Sequence, residues 1–220
     1  MARRGMKPID RLRRLSSPAD PVGLLSGISA PQISDALKSV TGEVGVIPSI
    51  KPMNNLRVCG RVVTARTSQH DWGTSVMAID AASPGEIIFI GADGDERAVW
   101  GELTSKTALK KGIAGVVIYG SCRDVDAILE LDFPVFSRDY VPCAGEPRAE
   151  GQLNVELECD GVLVKNGDLL LGDESGVVVV PSEVTGEVVR AALKVKEKEY
   201  SIVEGVEGGI SLSEILGLRK

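Results

Sequence analysis

Residues 112–126, GIAGVVIYGSCRDVD, predict a strand, a turn and a helix in direct succession. The apolar run at 114–119 has the length of a buried strand, and it ends at a glycine that opens a polar loop. Apolar side chains then recur at helical spacing, at Val125, Ile128 and Leu129. A loop between a strand and a helix lies at the carboxyl edge of a sheet, which is where α/β folds bind ligands.

The same alternation of strand and helix runs through the middle of the chain. Strands are predicted at 58–65, 86–90 and 134–136, and helices at 29–42, 72–79 and 102–111. This order is typical of βαβ units around a parallel sheet. Four short β runs follow, separated by turn sequences such as Asp-Gly and Asn-Gly, at 155–157, 162–164, 169–171 and 177–180. The sequence therefore predicts a single α/β domain with a βα layer and a separate, compact β layer.

The two ends of the chain differ in character from this middle part. We divide the sequence into a basic N-terminal arm at 1–27, the α/β domain at 28–182 and a C-terminal helical segment at 183–220. A helix predicted at 183–200 carries the charge run KVKEKE at 194–199. Such a run is typical of a helix face in water, and a partner-binding patch is the alternative.

Composition and charge narrow the class of protein. Hydrophobic residues make up 43% of the sequence and charged residues 25%, as in folded domains. The formal net charge of -6 argues against a nucleic-acid partner. No apolar run approaches the roughly 20 residues of a membrane span, and no signal-peptide pattern follows the basic N-terminus, so we expect a cytoplasmic protein without a membrane partner. The four cysteines lack CxxC spacing and are expected to be free thiols.

The adjacent pair Arg123 and Asp124 is the strongest candidate for chemistry. A guanidinium offers a planar fork for a carboxylate, and a carboxylate offers hard oxygen ligands to Mg2+ or Mn2+. The alternative is that the pair caps the helix that follows it. His70 is the one histidine and is expected at the surface, so a zinc site of His and Cys ligands is disfavoured. Cys122, just before the pair, is expected to fill a tight loop rather than to act as a reactive thiol.

A second group of candidates surrounds the start of the helix predicted at 102–111. The free N–H groups of a helix N-terminus bind anions, so Trp100, Gly101, Glu102 and Leu103 form a candidate substrate cradle. Glu102 is either a second catalytic carboxylate or an acidic residue favoured there by the helix dipole alone. Arg97 either assists with the anion or pairs with one of the acidic residues before it, Asp93, Asp95 or Glu96.

Three motifs in order resemble one family. RAVWGEL at 97–103, GSCRDVD at 120–126 and GDESGVVVVP at 172–181 resemble the RraA-like family, and the resemblance covers residues 28–181. That family contains class II pyruvate aldolases acting on 4-hydroxy-4-methyl-2-oxoglutarate, oxaloacetate decarboxylases and protein regulators of ribonuclease activity. Many of its members also carry the label demethylmenaquinone methyltransferase.

The resemblance implies a fold, an assembly and residue roles. The fold would be a swivelling β/β/α sandwich, assembled as a homotrimer or as a hexamer built from two trimers. Arg123 would contact the substrate carboxylate and enolate oxygen, Asp124 would hold the metal partly through water, and Glu102 would lie near it. A carboxylate from a neighbouring subunit would complete the site, and the candidates are Glu197, Glu199 and Glu204.

We therefore expect a lyase dependent on Mg2+ or Mn2+. Its substrate would be a small 4-hydroxy-2-oxo acid, or oxaloacetate, and its intermediate the enolate of pyruvate. The alternative is a non-catalytic regulator that binds a ribonuclease or another protein, and the presence of Asp124 favours the lyase. The methyltransferase label finds no support, because no GxGxxG loop follows a strand. The segment SRDYVPCAGEP at 137–147 is expected to shape the far end of the pocket.

Overall fold

A computed structural model describes residues 21–25 and 27–218. Its helices are α1 Pro21–Leu24, α2 Ala30–Thr41, α3 Gly73–Ala81, α4 Glu102–Lys111, α5 Val125–Leu129, α6 Thr185–Glu207 and α7 Leu212–Ile215. Its strands are β1 Lys51–Pro52, β2 Val58–Thr67, β3 Ile87–Ala92, β4 Ala98–Trp100, β5 Gly115–Cys122, β6 Val135–Tyr140, β7 Gln152–Leu153, β8 Leu157–Cys159, β9 Val162–Val164, β10 Leu169–Asp173 and β11 Gly176–Val180.

One large mixed sheet organises the domain. Its strand order is β1-β6-β5-β3-β2-β10-β11, with β4 beside β5 and β7 beside β2. The central strands β2, β3, β5 and β6 are parallel, whereas β10 and β11 add to the sheet as antiparallel strands. Strands β8 and β9 form a small sheet of their own. The prediction of a single α/β domain is confirmed.

Side chains on the two faces of the central strands fill two separate cores. On β3, Ile88 and Ile90 pack on one face among apolar residues of α3 and α4, whereas Phe89 packs on the other face with Phe136 and Val179. This is the alternation of side chains expected in a strand buried on both faces. A third core joins α2 and α6 to the outer side of β10 and β11.

Helix α2 shows how closely local sequence determines an element here. Ser29 is its N-cap and exchanges capping-box hydrogen bonds with Gln32, and Gly42 ends it in a left-handed conformation with φ of 86°. The prediction of a helix at 29–42 is confirmed, with Ser29 and Gly42 as its caps.

Several element bounds differ from prediction because pairing overrides the local pattern. The predicted strand end at Gly120 is wrong, since β5 continues to Cys122 by pairing with β4 and β6. The strand predicted at 155–157 lies instead at Leu157–Cys159. Strands β10 and β11 join the main sheet, so that among the described residues only β8 and β9 stand apart from it.

The C-terminal helix shares the core of the domain in its first turns. Val188, Val189 and Ala192 are buried against α2 and β10, whereas the charge run at 194–199 is largely exposed, as predicted for a helix face in water. Most of the predicted N-terminal arm lies outside the described residues. No helix in the described ranges has both the length and the apolar character that crossing a membrane requires.

Candidate active site

The pairing of β4 with β5 brings the two candidate loops together. Trp100 pairs with Cys122, so the residues that follow each strand emerge side by side. The Arg123 N–H donates to Trp100 O at 3.0 Å, which ties the two loops directly. The structure therefore places the Arg-Asp pair at the N-terminus of α4, where the substrate cradle was predicted.

Asp124 turns its side chain toward α4 rather than toward the helix that follows it. Its backbone is left-handed, with φ of 59°, a conformation that aspartate tolerates better than most residues. Oδ2 accepts the Glu102 N–H at 3.1 Å and lies 3.6 Å from Arg123 Nε. Asp124 makes no side-chain capping bond to α5. The geometry thus does not support the interpretation of the pair as a cap for the next helix.

Gly101 is needed because the acidic side chain approaches its backbone closely. A Cβ at this position would lie 2.6 Å from Asp124 Oδ2 and 3.1 Å from Arg123 Cγ. No real side chain fits at the first of these distances without displacing the carboxylate. The Gly101 N–H donates to Thr104 Oγ1 at 2.9 Å, which fixes the start of α4. Gly101 therefore makes room for the Arg-Asp pair.

Trp100 forms a buried support beneath the site. Its Nε1 donates to Ser105 Oγ at 2.8 Å, and its ring stacks on Phe133 with centroids 6.4 Å apart. These contacts hold the indole on both its polar and its apolar side. They fix the position of the indole at the end of β4, where the chain turns into α4.

A small cleft opens above these residues. Its cavity volume is about 60 Å3, and it is lined by Trp72, Ala98, Val99, Trp100, Gly101, Leu103, Thr104, Arg123, Asp124 and Ala144. Pockets for larger ligands begin near roughly 300 Å3. Within a single chain the cleft therefore suits only the reacting end of a small molecule.

The segment at 137–147 supplies one wall of this cleft, at Ala144. The Ala98 N–H donates to Cys143 O at 2.8 Å, and the Trp72 N–H donates to Glu146 O at 3.0 Å. The segment is thus attached to β4 and to the start of α3, and Ala144 contributes to the wall of the cleft. That the segment shapes the far end of the pocket stays a prediction.

The other predicted site residues have different neighbours. The Glu102 carboxylate pairs with Lys106 one turn along α4 and is not among the residues that line the cleft. Arg97 Nη1 donates to Ala144 O at 3.3 Å. Of its three proposed acidic partners, Asp93 accepts the Gln69 N–H instead, and Asp95 pairs with Arg138 at 2.8 Å.

The candidate C-terminal carboxylates lie on a different element from the cleft. Glu197, Glu199 and Glu204 are exposed on α6, and Glu199 accepts a hydrogen bond from Gln32 Nε2. None of the three lines the cleft of its own chain.

The donor set tests which cation the site can hold. Within residues 21–25 and 27–218, no group of three or more His, Cys, Asp or Glu side chains is arranged to hold a metal ion. The contacts of Asp124 described above fall on Oδ2, which leaves Oδ1 for a cation. One carboxylate fits Mg2+, which keeps several waters and takes further oxygens from its substrate. A structural zinc site needs four protein ligands, so the donor set does not fit one.

The buried Cys122 thiol is a poor nucleophile. Burial raises the pKa of its thiol to about 11, so the thiolate is scarce at neutral pH. Its role is to fill space beneath the Arg-Asp loop, as expected from the sequence. Cys122, Cys143 and Cys159 are free thiols.

Asp71 is a residue that the sequence interpretation missed. Its carboxylate accepts the N–H groups of Gly73, Arg148, Ala149 and Glu150 and the Thr74 hydroxyl, at 2.8–3.0 Å. Burial acts to raise its pKa, but these hydrogen bonds outweigh burial and hold the pKa below 3.8. Asp71 thereby fixes the start of α3, beside the cleft residue Trp72. It also fixes residues 148–150, a few positions after the cleft residue Ala144. The sequence Asp-Trp-Gly-Thr resembles a helix start, which was the available signal.

Asp71→Asn is expected to destabilise the fold by roughly 2 kcal/mol or more at neutral pH, because an amide cannot accept this set of donors. A carboxylate with a lowered folded-state pKa stabilises the protein above its unfolded pKa, and this contribution is lost as pH falls through the folded value. Unfolding in urea between pH 7 and pH 3 measures both effects. The wild type should lose more stability below about pH 4 than the variant does. Asp80→Asn, an exposed change on the same helix, is the control, and equal effects of the two changes would contradict this role.

Comparisons with known proteins agree with the fold and the motifs. The family described as "RraA-like: Aldolase/RraA" matches residues 30–179. An uncharacterized protein from Methanocaldococcus jannaschii is 39% identical over 202 residues, covering 90% of this chain and 94% of that protein. A protein from Halalkalibacterium halodurans named "Putative 4-hydroxy-4-methyl-2-oxoglutarate aldolase" is 38% identical over 164 residues, covering 74% and 77%.

A solved structure extends the comparison to the regulators. The RNA-processing inhibitor RraA from Thermus thermophilus superposes with a TM-score of 0.62 at 26% identity, covering 67% of this chain and 92% of that one. The family match at residues 30–179 contains both loops of the cleft, and it spans most of the described sheet. The RraA-like family matches residues 30–179, and the chain is 38% identical to the Halalkalibacterium halodurans protein over most of both lengths. This chain therefore belongs to the RraA-like family.

Proposed function

We propose that this protein is a divalent-metal-dependent lyase. It cleaves a small 4-hydroxy-2-oxo acid between C3 and C4 and releases pyruvate through its enolate. The observation that carries the proposal is the joint position of Arg123 and Asp124 at the N-terminus of α4, where Asp124 Oδ2 lies 3.1 Å from the Glu102 N. Binding a 2-oxo carboxylate and stabilising its enolate require a positive side chain, free N–H groups and a carboxylate that can hold a metal ion. Arg123, the N-terminus of α4 and Asp124 would supply these three groups.

The chain holds the anionic end of the substrate with two kinds of donor. The Arg123 guanidinium provides a planar fork for a carboxylate and positive charge for the enolate oxygen. The N–H groups of Leu103 and Thr104 lie in the first turn of α4, before its first intrahelical bond, and can take the same carboxylate. The substrate is thereby oriented with its keto oxygen toward Asp124.

Asp124 is the residue that would hold the cation. A divalent ion there supplies Lewis-acid stabilisation of negative charge on the keto oxygen. Decarboxylation of oxaloacetate produces the same enolate, so the same residues serve both reactions. The buried Trp100 and the apolar walls line one side of the charged groups, whose side chains are 40% and 38% exposed in the single chain.

A proton NMR screen of 4-hydroxy-2-oxo acids and oxaloacetate, with Mg2+ or Mn2+, tests the proposal. We expect pyruvate to appear with at least one substrate, at a rate proportional to protein concentration. If no compound yields pyruvate above the protein-free control, the proposed activity is wrong.

The second candidate function is that of a protein regulator, and the structural likeness to the RNA-processing inhibitor favours it. A thermal melt separates the two candidates. A lyase should be stabilised by Mg2+ together with oxalate, which resembles the enolate, whereas a pure adaptor should not be.

We further propose that the working unit is a trimer with sites between subunits. Leu103 at the cleft is 72% exposed in the single chain. Large apolar side chains are also exposed along the C-terminal segment, at Tyr200, Val203, Val206 and Ile210. Sedimentation should give three chains or a multiple of three, and an active monomer would refute the shared site.

A further inference from the structure

The N-cap position of α4 has no side chain with which to cap the helix. Gly101 occupies it, whereas an N-cap residue ordinarily uses a side-chain oxygen to accept an N–H group of the first turn. Glycine is needed here, because a Cβ at this position would lie 2.6 Å from Asp124 Oδ2. Other groups must therefore fix the start of α4.

Thr104 supplies the missing hydrogen bonds from inside the helix. Its Oγ1 accepts the Gly101 N–H and donates to Gly101 O, both at 2.9 Å. Only 8% of Thr104 is exposed, so water has little access to these bonds. Without the hydroxyl, the Gly101 N–H would be a buried donor that has lost its partner, a state that folded proteins avoid. The hydroxyl thus fixes Gly101 relative to the first turn of α4.

The position of Gly101 in turn determines the direction of the amide that holds Asp124. The Glu102 N–H belongs to the peptide group that follows Gly101, and it donates to Asp124 Oδ2 at 3.1 Å. The Asp124 side chain is 38% exposed, so packing alone does not hold its carboxylate. A rotation of the peptide between Gly101 and Glu102 would therefore turn the amide away and release the carboxylate.

We propose that Thr104 is a positioning residue for the cation that Asp124 would hold. Its hydroxyl acts through Gly101 and the Glu102 N–H, and it contacts neither the cation nor the substrate. This inference rests on the proposed lyase function. Replacing a residue that orients a metal ligand, without binding the metal itself, typically lowers metal affinity by roughly 10- to 100-fold.

Binding of Mn2+ alone tests the inference, because it reports on the cation site without turnover. Electron paramagnetic resonance of free Mn2+ gives the dissociation constant. Thr104→Val keeps the shape of the side chain and removes the hydroxyl, so the dissociation constant should rise by about tenfold or more. Thr104→Ala removes the same hydroxyl without placing a methyl group against the buried backbone, and it should weaken binding similarly. Thr104→Ser keeps the hydroxyl and should bind Mn2+ nearly as tightly as the wild type.

Thr107→Val is the matched control. Thr107 lies about one turn further along α4, is exposed, and donates from Oγ1 to Leu103 O at 2.7 Å, so the change removes an equivalent hydrogen bond from the same helix. It does not line the cleft, and its loss should leave Mn2+ affinity unchanged. All titrations are made below the lowest melting temperature of the set. A merely structural role of Thr104 would lower the melting temperature and leave the Mn2+ affinity of the folded protein as it was.

The outcomes distinguish this inference from the function on which it rests. If folded Thr104→Val and Thr104→Ala bind Mn2+ as tightly as the wild type, or if Thr104→Ser binds as weakly as Thr104→Val, the inference is wrong and the lyase function stands. If Asp124→Asn leaves Mn2+ affinity unchanged, the cation site itself is wrong and the inference fails with it. Weak binding in the valine and alanine variants, with recovery in Thr104→Ser and no change in Thr107→Val, supports the inference.

Discussion

Arg123→Ala is expected to lower kcat by roughly 100-fold or more, the loss typical when a group that stabilises developing negative charge is removed. Arg123→Lys should restore little, because a point charge does not reproduce the planar fork. The fold should survive both changes, since the Arg123 side chain is 40% exposed in a loop. Steady-state rates of pyruvate release, with melting temperatures measured alongside, provide the test.

The matched control for this prediction is Arg190→Ala. Arg190 is exposed on α6 and does not line the cleft, so its loss should leave kcat close to that of the wild type. Wild-type kcat in Arg123→Ala would remove the guanidinium from the mechanism.

Removal of the divalent cation is expected to abolish turnover, and Mg2+ or Mn2+ should restore it. Asp124→Asn should mimic this loss while preserving the loop, because asparagine also tolerates a left-handed backbone and can accept the Glu102 N–H. The variant should therefore need a much higher Mg2+ concentration for half-maximal activity. Titration of activity with Mg2+ after chelation measures the change.

Asp126→Asn removes a nearby carboxylate that is exposed and does not line the cleft, so its Mg2+ titration should match the wild type. Full activity in protein freed of metal would contradict the proposed dependence, whatever the behaviour of Asp124→Asn.

The parts of the fold that the sequence predicted are those with local causes. The span of α4, residues 102–111, follows from helical spacing, and the end of α2 follows from Gly42. The Arg-Asp pair was likewise recognisable because its motif is contiguous. By contrast, the continuation of β5 to Cys122 depends on pairing with Trp100 of β4, earlier in the chain, and with Tyr140 of β6, later in it, and no local pattern encodes that pairing.

The candidate site also combines features that the local sequence predicts with features that only the fold determines. Its charged groups could be named from the sequence, but their contacts could not, because those contacts join distant residues. The bond from the Glu102 N–H to Asp124 spans 22 residues, and the bonds from 148–150 to Asp71 span 77 to 79. The tight space at Gly101 is a packing property, and it becomes visible only when the loop of Arg123 is placed against it.

The bond between Asp124 and the first amide of α4 has a consequence for transplanting this site. The carboxylate and the helix end are joined, so a displacement of α4 moves the anion-binding and cation-binding groups together. Copying the Arg-Asp dipeptide alone onto another α/β scaffold would therefore give two solvated charges without a fixed spacing. The smallest transferable unit consists of two neighbouring strand ends, the glycine that lets them approach, and the helix whose first amide holds the acid in place.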